Sequence, residues 1–247
     1  MPKKLTPRLA IAAVAAVLGS SWTMAAPLLM VFRDKPPYSY VEQDVAKGFL
    51  LERTRRILAR ANIRAEFREM PPKRIFLEIQ KDDQEICSFG WYKIAERQKY
   101  ARYSIPLHQD RKQMVLAGSR SAAAIRRHAT LKSLMSGKDL TLATADGVSY
   151  GTEIDQMISA FSGRIDRTLL SPLEVARKVT MQRADFMFID QDDYDYLLAS
   201  DAAFLADNLV ILDFPDTPPG LLRYILCSQK VSETMMRQIN AAIALEK

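Results

Sequence analysis

The side chain best suited to chemistry in this sequence is Arg97, which lies in residues 90–110, GWYKIAERQKYARYSIPLHQD. It follows a glycine-aromatic turn and precedes a strand-like segment. A guanidinium stays charged and presents a rigid fork of N–H donors that can meet both oxygens of a carboxylate. Arg97 is therefore predicted to hold a carboxylate in a cleft; an exposed surface arginine is the alternative.

Asp190 is the matching candidate for a cationic group. It follows the apolar, strand-like residues 184–189, and open α/β sheets bind their ligands where strands end. A carboxylate at that place is predicted to hold an ammonium group. Capping of the next helix is the other role open to Asp190, because the unpaired amides and the dipole of a helix start favour a carboxylate.

The acidic run that begins at Asp190 invites comparison with a calcium-binding loop. Counted from Asp190, the sixth position is Asp195, where that loop requires glycine, and the twelfth is Asp201, where it requires a bidentate glutamate. The spacing excludes a calcium loop, and no metal site is predicted.

Aromatic residues fall in loop segments beside these charges, namely Tyr38, Tyr40, Trp91 and Tyr92. Their flat faces can stack on an organic ligand or on a cation. Packing inside a hydrophobic core is the alternative for each of them.

The sequence is poor in residue sets that catalyse reactions. Its only histidines are His108 and His128, and neither accompanies a Gly-x-Ser-x-Gly motif, a cysteine pair at metal-ligand spacing or a phosphate-binding loop. We therefore predict no catalytic residue and no cofactor, and a binding protein in preference to an enzyme.

The elements that position these residues alternate between strand and helix. Short apolar runs of strand length occupy residues 28–32, 85–89, 140–144, 185–189 and 223–227. Apolar residues at helical spacing lie between and after them, in residues 49–61, 154–161 and 235–243. This alternation predicts an α/β protein with parallel sheets.

Six segments carry a resemblance to a known family. They are the pattern Gly90, Glu96-Arg97, Tyr103-Ser104 and Pro106, and the residues 36–58, 70–80, 139–158, 183–194 and 223–243. In this order they resemble the periplasmic solute-binding proteins of the amino-acid ABC transporter type, which are the bacterial extracellular solute-binding proteins of family 3. The resemblance covers nearly all of the chain after residue 26.

The resemblance implies a type II periplasmic-binding-protein fold, an α/β fold of two lobes. Each lobe is a mostly parallel sheet flanked by helices, and two hinge crossings join the lobes. Residues 27–113 and 212–247 are expected to form a discontinuous lobe one and residues 114–211 lobe two. The crossings are expected at residues 112–119 and 205–213.

The resemblance also implies the ligand and its site. A small carboxylate-bearing solute, amino-acid-like, is expected in the cleft between the lobes, delivered to an inner-membrane permease by a monomer. The implied ligand-binding residues are Tyr38, Arg74, Gly90, Trp91, Tyr92, Arg97, Ser149, Tyr150 and Asp190. Ser149 and Tyr150 precede a helix whose amides add to carboxylate binding.

One residue departs from the family pattern. Similar amino-acid binders carry a small Thr or Ser two residues after the glycine, where this chain has Tyr92. A tyrosine narrows the pocket, which argues against a standard free amino acid and leaves a small carboxylate. An exported cyclohexadienyl-type dehydratase and an orphan sensory module that reports to a membrane receptor are the alternative functions on the same fold.

The N-terminus has the layout of a secretory signal peptide. Residues 1–26 combine the cations Lys3, Lys4 and Arg8 with an apolar run over 9–18 and small residues before Pro27. The apolar run is shorter than the roughly 20 residues that span a bilayer, so cleavage after Ala25 or Ala26 and a periplasmic location are predicted, with an uncleaved anchor as the alternative.

The small net charge of the mature chain argues against binding to nucleic acid. The formal net charge is +6 for the whole chain and falls to +3 once the three cations of the signal peptide leave. The arginines at 53, 55, 56, 60 and 64 fall on a predicted helix and its end, where a solvated polar face explains them.

The two cysteines, Cys87 and Cys227, both belong to the expected lobe one. An even pair in an oxidising compartment is predicted to form a disulfide. Two buried free thiols are the alternative.

Overall fold

The structure is a computed structural model that describes residues 26–146, 148–169, 172–205 and 208–246, without the side chains of 200–205. The predicted signal peptide therefore lies outside the described residues, except for Ala26. No helix in the described ranges is long and apolar enough to cross a membrane.

Strands and helices alternate along the chain, as the sequence predicts. In chain order the strands are β1 (Leu28–Phe32), β2 (Tyr40–Glu42), β3 (Val45–Lys47), β4 (Ala65–Glu69), β5 (Ile86–Tyr92), β6 (Arg102–Tyr103), β7 (His108–Gln109), β8 (Gln113–Gly118), β9 (Thr141–Ala145), β10 (Arg164–Thr168), β11 (Phe186–Asp190), β12 (Leu209–Leu212) and β13 (Leu222–Cys227). The helices are α1 (Phe49–Arg60), α2 (Pro72–Lys81), α3 (Ala95–Gln98), α4 (Ser119–Ile125), α5 (Leu131–Met135), α6 (Thr152–Ser159), α7 (Pro172–Thr180), α8 (Gln191–Leu205) and α9 (Glu233–Leu245).

The first sheet has the strand order β4-β1-β5-β13-β6, with β7 also paired to β13. β1 runs parallel to β4 and β5, whereas β13 runs antiparallel to β5. Side chains of successive strand residues point to opposite faces. Met30 and Phe32 accordingly pack with Leu50 of α1 and Ile239 of α9, while Val31 packs in a separate cluster that includes Ile75 of α2.

The second sheet has the order β10-β9-β11-β8-β12. β9 is parallel to β10 and β11, and β8 is antiparallel to β11 and β12. Phe186 and Phe188 share a buried cluster with Ile154 of α6, and Met187 packs in another with Val175 of α7. The predicted α/β class is confirmed, with antiparallel strands added where the chain enters and leaves this sheet.

The chain passes between the two sheets at residues 110–112 and 213–221. These passages differ from the expected crossings at 112–119 and 205–213, which are mostly the strands β8 and β12. β8 and β12 are extended and largely apolar, but they pair with each other inside the second sheet. The two passages touch, because a Cβ on Gly220 would lie 1.7 Å from the carbonyl oxygen of Asp110.

Cys87 and Cys227 form a disulfide, so the predicted pairing is present and the free-thiol alternative is wrong. The two residues are partners in the register of β5 and β13, with Cα atoms 4.0 Å apart. Both are fully buried in the core of the first sheet.

The arginine-rich segment forms helix α1, which buries its apolar residues and directs arginines outward. Leu50, Leu51 and Ile57 are fully buried, whereas the guanidinium of Arg56 points outward to Glu246 at 2.7 Å. The helix begins after Gly48, whose φ is 124° and whose Cβ position lies 2.4 Å from the carbonyl oxygen of Tyr38. Only glycine fits this close approach, which fixes the Tyr38 loop against the start of α1.

Candidate functional site

A small cavity of about 70 Å³ lies between the two sheets. Charged residues of both sheets line it, with Lys35 and Arg223 on the side of the first sheet and Asp190 and Asp193 on the side of the second. Tyr92, Gln113, Ser149 and Tyr150 complete its polar wall, and Val148 and Phe188 belong to its apolar wall. Of the residues predicted to bind the ligand, Tyr92, Ser149, Tyr150 and Asp190 line this cavity, whereas Tyr38, Arg74, Gly90, Trp91 and Arg97 do not.

Asp190 is the last residue of β11 and is 3% exposed. The phenol of Tyr38 donates to its Oδ2 at 3.1 Å, across the gap between the sheets. The amide of Asp193 donates to its Oδ1 at 2.8 Å, which caps the start of α8. The capping geometry and the position in the cleft, which the sequence left as alternatives, therefore occur together.

Burial governs the proton affinity of this pair. Burial, with the negative charge of Asp193 added, raises the pKa of the Asp190 carboxyl to about 6. Burial also raises the pKa of Tyr38 well above its ordinary value, and the neighbouring Asp190 adds to the effect. Tyr38 thus remains a hydrogen-bond donor, while Asp190 gains and loses a proton near neutral pH.

Arg223 is a buried cation near the start of β13. Its Nε lies 2.5 Å from Oδ1 of Asp110, its Nη1 donates to the carbonyl of Gly90 at 2.9 Å, and its Nη2 donates to the phenol of Tyr92 at 3.0 Å. Burial lowers the pKa of Arg223, but Tyr92 and Asp110 outweigh burial and raise it, so the guanidinium stays charged. The phenol of Tyr92 in turn donates to Asp110 at 2.7 Å.

Lys35 forms an ion pair between the two sheets. Its Nζ lies 3.0 and 3.1 Å from the two carboxylate oxygens of Asp193 and 4.3 Å from the ring centre of Tyr38. Burial lowers the pKa of Lys35, and Asp193 opposes this change.

His108 makes a further contact between the sheets. Its Nε2 is 3.6 Å from Asp110 and 3.7 Å from Asp192 at the start of α8. The contact with His108 is the main cause that lowers the pKa of Asp192. Asp190, Asp192 and Asp193 therefore each face a different side chain of the first-sheet region.

Arg97 lies on α3 with its guanidinium on aromatic rings. Its Cζ is 4.0 Å from the ring centre of Phe76 and 5.5 Å from that of Trp91. Arg33 stacks on the same tryptophan at 4.4 Å. Burial lowers the pKa of Arg33 to about 10, and the positive charges of Arg223 and Arg97 contribute. Within the described part of the chain, neither Arg33 nor Arg97 has a carboxylate oxygen within 4.0 Å.

The remaining predicted residues occupy different surroundings. Gly90 has φ 82° and presents its carbonyl to Arg223, while the indole of Trp91 is buried and donates to Ser88 at 2.7 Å. The hydroxyl of Ser149 donates to Asp155 at 2.5 Å, and the amide of Tyr150 donates to the same carboxylate at 2.9 Å.

Arg74 stands apart from this group of predicted residues. Its side chain is 69% exposed on α2, and its nearest carboxylate is Glu78 at 3.9 Å. It does not line the cavity between the sheets.

Several charged residues of the site were missed from the sequence: Arg33, Lys35, Asp110, Asp193 and Arg223. Arg223 did carry a signal, because an arginine inside the apolar strand RYILC needs a buried partner. Lys35 carried a weaker one, its place directly before the Pro36-Pro37-Tyr38 loop. In the described ranges, no three carboxylate, imidazole or thiol groups converge in a way that would hold a metal ion.

Comparison with known proteins places this geometry in context. The family model of the bacterial extracellular solute-binding proteins, family 3, matches residues 28–246. No curated protein matches the chain in sequence.

Solved structures share the fold at low sequence identity. An ancestral arginine-binding protein bound to arginine has a TM-score of 0.65 and 15% identity, over 90% of this chain and 92% of that chain. The arginine-, lysine-, histidine-binding protein ArtJ from Geobacillus stearothermophilus has a TM-score of 0.65 and 14% identity, over 88% of each chain. An ancestral amino acid-binding protein, a precursor of cyclohexadienyl dehydratase, has a TM-score of 0.63 and 19% identity, again over 88% of each chain.

Proposed function

Because the chain belongs to the bacterial extracellular solute-binding proteins of family 3, we propose that it binds a small carboxylate-bearing solute, amino-acid-like, between its two sheets. The observation that carries the proposal is the convergence of charges of both signs on one enclosed cavity, from both sheets. A solute that carries a carboxylate and an amine has complementary charges for such a site.

In this proposal the sheets are the centres of two lobes, formed by residues 27–113 with 212–247 and by residues 114–211. Arg97, with Arg33 beside it, receives the carboxylate, because neither guanidinium is paired with a carboxylate of the described chain. Asp190 receives the amine, and Tyr38 orients Asp190 through its hydrogen bond. Gly90, Trp91, Tyr92, Ser149 and Tyr150 form the surroundings of the ligand.

The family and the sequence of the N-terminus support a proposal for the cellular setting. The mature protein is a periplasmic monomer without a cofactor, released from its signal peptide. It hands its solute to an inner-membrane ABC permease, or reports it to a membrane receptor.

A thermal-shift screen of amino acids, small organic acids and amines tests the proposal, because a ligand that binds the native state raises the melting temperature. For the compound with the largest shift, Arg97→Ala is expected to weaken binding by about 2 to 5 kcal/mol, as does the loss of one partner of a buried charge pair. Arg97→Lys should restore only part of the affinity, since lysine lacks the planar fork.

The matched control is Arg120→Ala, an exposed arginine of α4. It should leave the affinity unchanged in the same titration. Equal affinity of Arg97→Ala and the parent protein would show that Arg97 does not hold the carboxylate.

The pKa of Asp190 favours dehydration as a second candidate function. A carboxyl group that keeps its proton until about pH 6 is suited to protonate a leaving hydroxyl group. One protein of the same fold is a precursor of cyclohexadienyl dehydratase. Incubation with prephenate and arogenate, with detection of phenylpyruvate and phenylalanine, separates the two functions: product formation that Asp190→Asn abolishes would establish the enzyme.

A further inference from the structure

A second, larger cavity of about 460 Å³ lies beside the small one. We call it the side groove. The first sheet contributes Lys93, Leu222 and Tyr224 to its walls, the second lobe contributes Thr152 and Glu153, and the passage between the sheets contributes Pro219. The groove therefore lies at the junction of the two halves of the molecule, outside the cluster of buried charges.

The side groove and the small cavity are adjoining parts of one space. Tyr92, Gln113 and Tyr150 line both of them. The small cavity, at about 70 Å³, offers far less room than the side groove. The groove, at about 460 Å³, falls within the usual range for small-molecule sites.

Gln113 lies where the small cavity meets the side groove, and its side chain carries a hydrogen-bond acceptor without a donor. Its Oε1 is buried and has no hydrogen-bond partner among the described residues. Buried polar atoms are almost always paired, and leaving one unpaired costs free energy. A ligand that places an N–H group at the junction would satisfy this oxygen.

The groove also presents opposite charges from its two sides. Lys93 and Glu153 are exposed, and neither forms an ion pair with another described residue. Lys93 lies 5.9 Å from the ring centre of Tyr224, and Pro219 and Leu222 supply apolar surface between the charges. Such walls fit a chain of apolar atoms that ends in a charged or zwitterionic group.

We infer that the ligand is an amino acid extended through an amide bond, the size of a dipeptide. One charged end reaches the small cavity, the amide N–H faces Oε1 of Gln113, and the second residue occupies the side groove between Lys93 and Glu153. This inference rests on the proposed function, since it assigns a larger ligand to the same cleft. It also accounts for Tyr92, which narrows the space for a free amino acid while it lines the groove.

Isothermal titration with two matched sets of probes tests the inference: the free amino acids, and the dipeptides that carry the same residues. The best dipeptide should bind at least about tenfold more tightly than either of its free amino acids. One hydrogen bond to a buried acceptor that is otherwise unpaired contributes a binding free energy of that size. Leu222→Trp fills the groove and should remove that advantage. Leu77→Trp, on the exposed face of α2, is the control and should retain it.

A second variant keeps the inference testable if Leu222→Trp does not fold. Gln113→Leu removes the unpaired acceptor and should lower dipeptide affinity about tenfold. Free amino acids that bind as tightly as dipeptides, in the parent and in both groove variants, would overturn the inference and leave the proposed function standing. Absence of binding by every probe would overturn both.

Discussion

Asp190 shows how surroundings change one carboxyl group. It ends a buried strand, accepts hydrogen bonds from Tyr38 and from the amide of Asp193, and still has a pKa near 6 because burial outweighs those bonds. The folded protein therefore binds a proton between about pH 4 and pH 6 that the unfolded chain, with an ordinary aspartate pKa of about 3.9, has released. The stability contributed by this raised pKa is fully present below pH 4 and is lost as the pH rises through 6.

This sign gives a prediction for Asp190→Asn. The parent should lose roughly 2 to 3 kcal/mol of unfolding free energy relative to the variant when the pH rises from 4 to 7. This magnitude follows because each pKa unit corresponds to about 1.4 kcal/mol. Urea denaturation of both proteins at several pH values measures it. A difference that stays constant with pH would contradict the raised pKa.

Individual charged residues of the site differ in how far the sequence predicts them. Asp190 was predictable, because it ends an apolar strand and precedes a helix. Lys35 and Asp193 were not, because their ion pair joins residues 158 positions apart and depends on how the two sheets meet. The carboxylate-holding role of Arg97 stays a prediction, and its neighbour Arg33 has no local pattern that sets it apart from a surface arginine.

At the scale of elements, β5 and β13 join the two separate parts of the first sheet. Both were predicted as apolar runs, since β5 and the second half of β13, residues 225–227, are buried on both faces and lack polar alternation. Their antiparallel pairing was not predictable, because it depends on the path of the chain through the second sheet. The carbonyl of Gly90 and the side chains of Tyr92 and Arg223 meet at the site because this pairing holds the two strands in register.

The disulfide between these strands should be a large part of their stability. The bond links residues 140 positions apart, and closing a long loop restricts the unfolded chain. The double variant Cys87→Ala/Cys227→Ala is expected to lose about 3 to 5 kcal/mol of unfolding free energy, measured by urea denaturation without reductant. Reductant should destabilise the parent by a similar amount and leave the variant unaffected; a parent protein insensitive to reductant would contradict the expectation.

At the scale of the whole molecule, the proposed lobes are held together by side chains of the first sheet region that face the start of α8. Lys35 pairs with Asp193, Tyr38 with Asp190 and His108 with Asp192. Loss of the side chains of Lys35 and His108 removes two of these three contacts.

The double variant Lys35→Ala/His108→Ala should therefore favour an open arrangement of the lobes. Small-angle X-ray scattering is expected to give a larger radius of gyration for the variant than for the parent. Lys132→Ala, an exposed lysine of α5, is the control and should scatter like the parent. Identical profiles for all three proteins would show that these contacts do not hold the lobes together.

The bond between Cys87 and Cys227 also determines the covalent topology of the chain. β5 and β13 are connected twice, once through sulfur and once through residues 88–226, so the intervening polypeptide is a closed ring. The whole second sheet lies on that ring. A single cut in the second sheet opens the ring but leaves one covalent molecule, with both ends of the chain still attached to the same core. The second sheet can thus be cut once without separating the two strands that carry it.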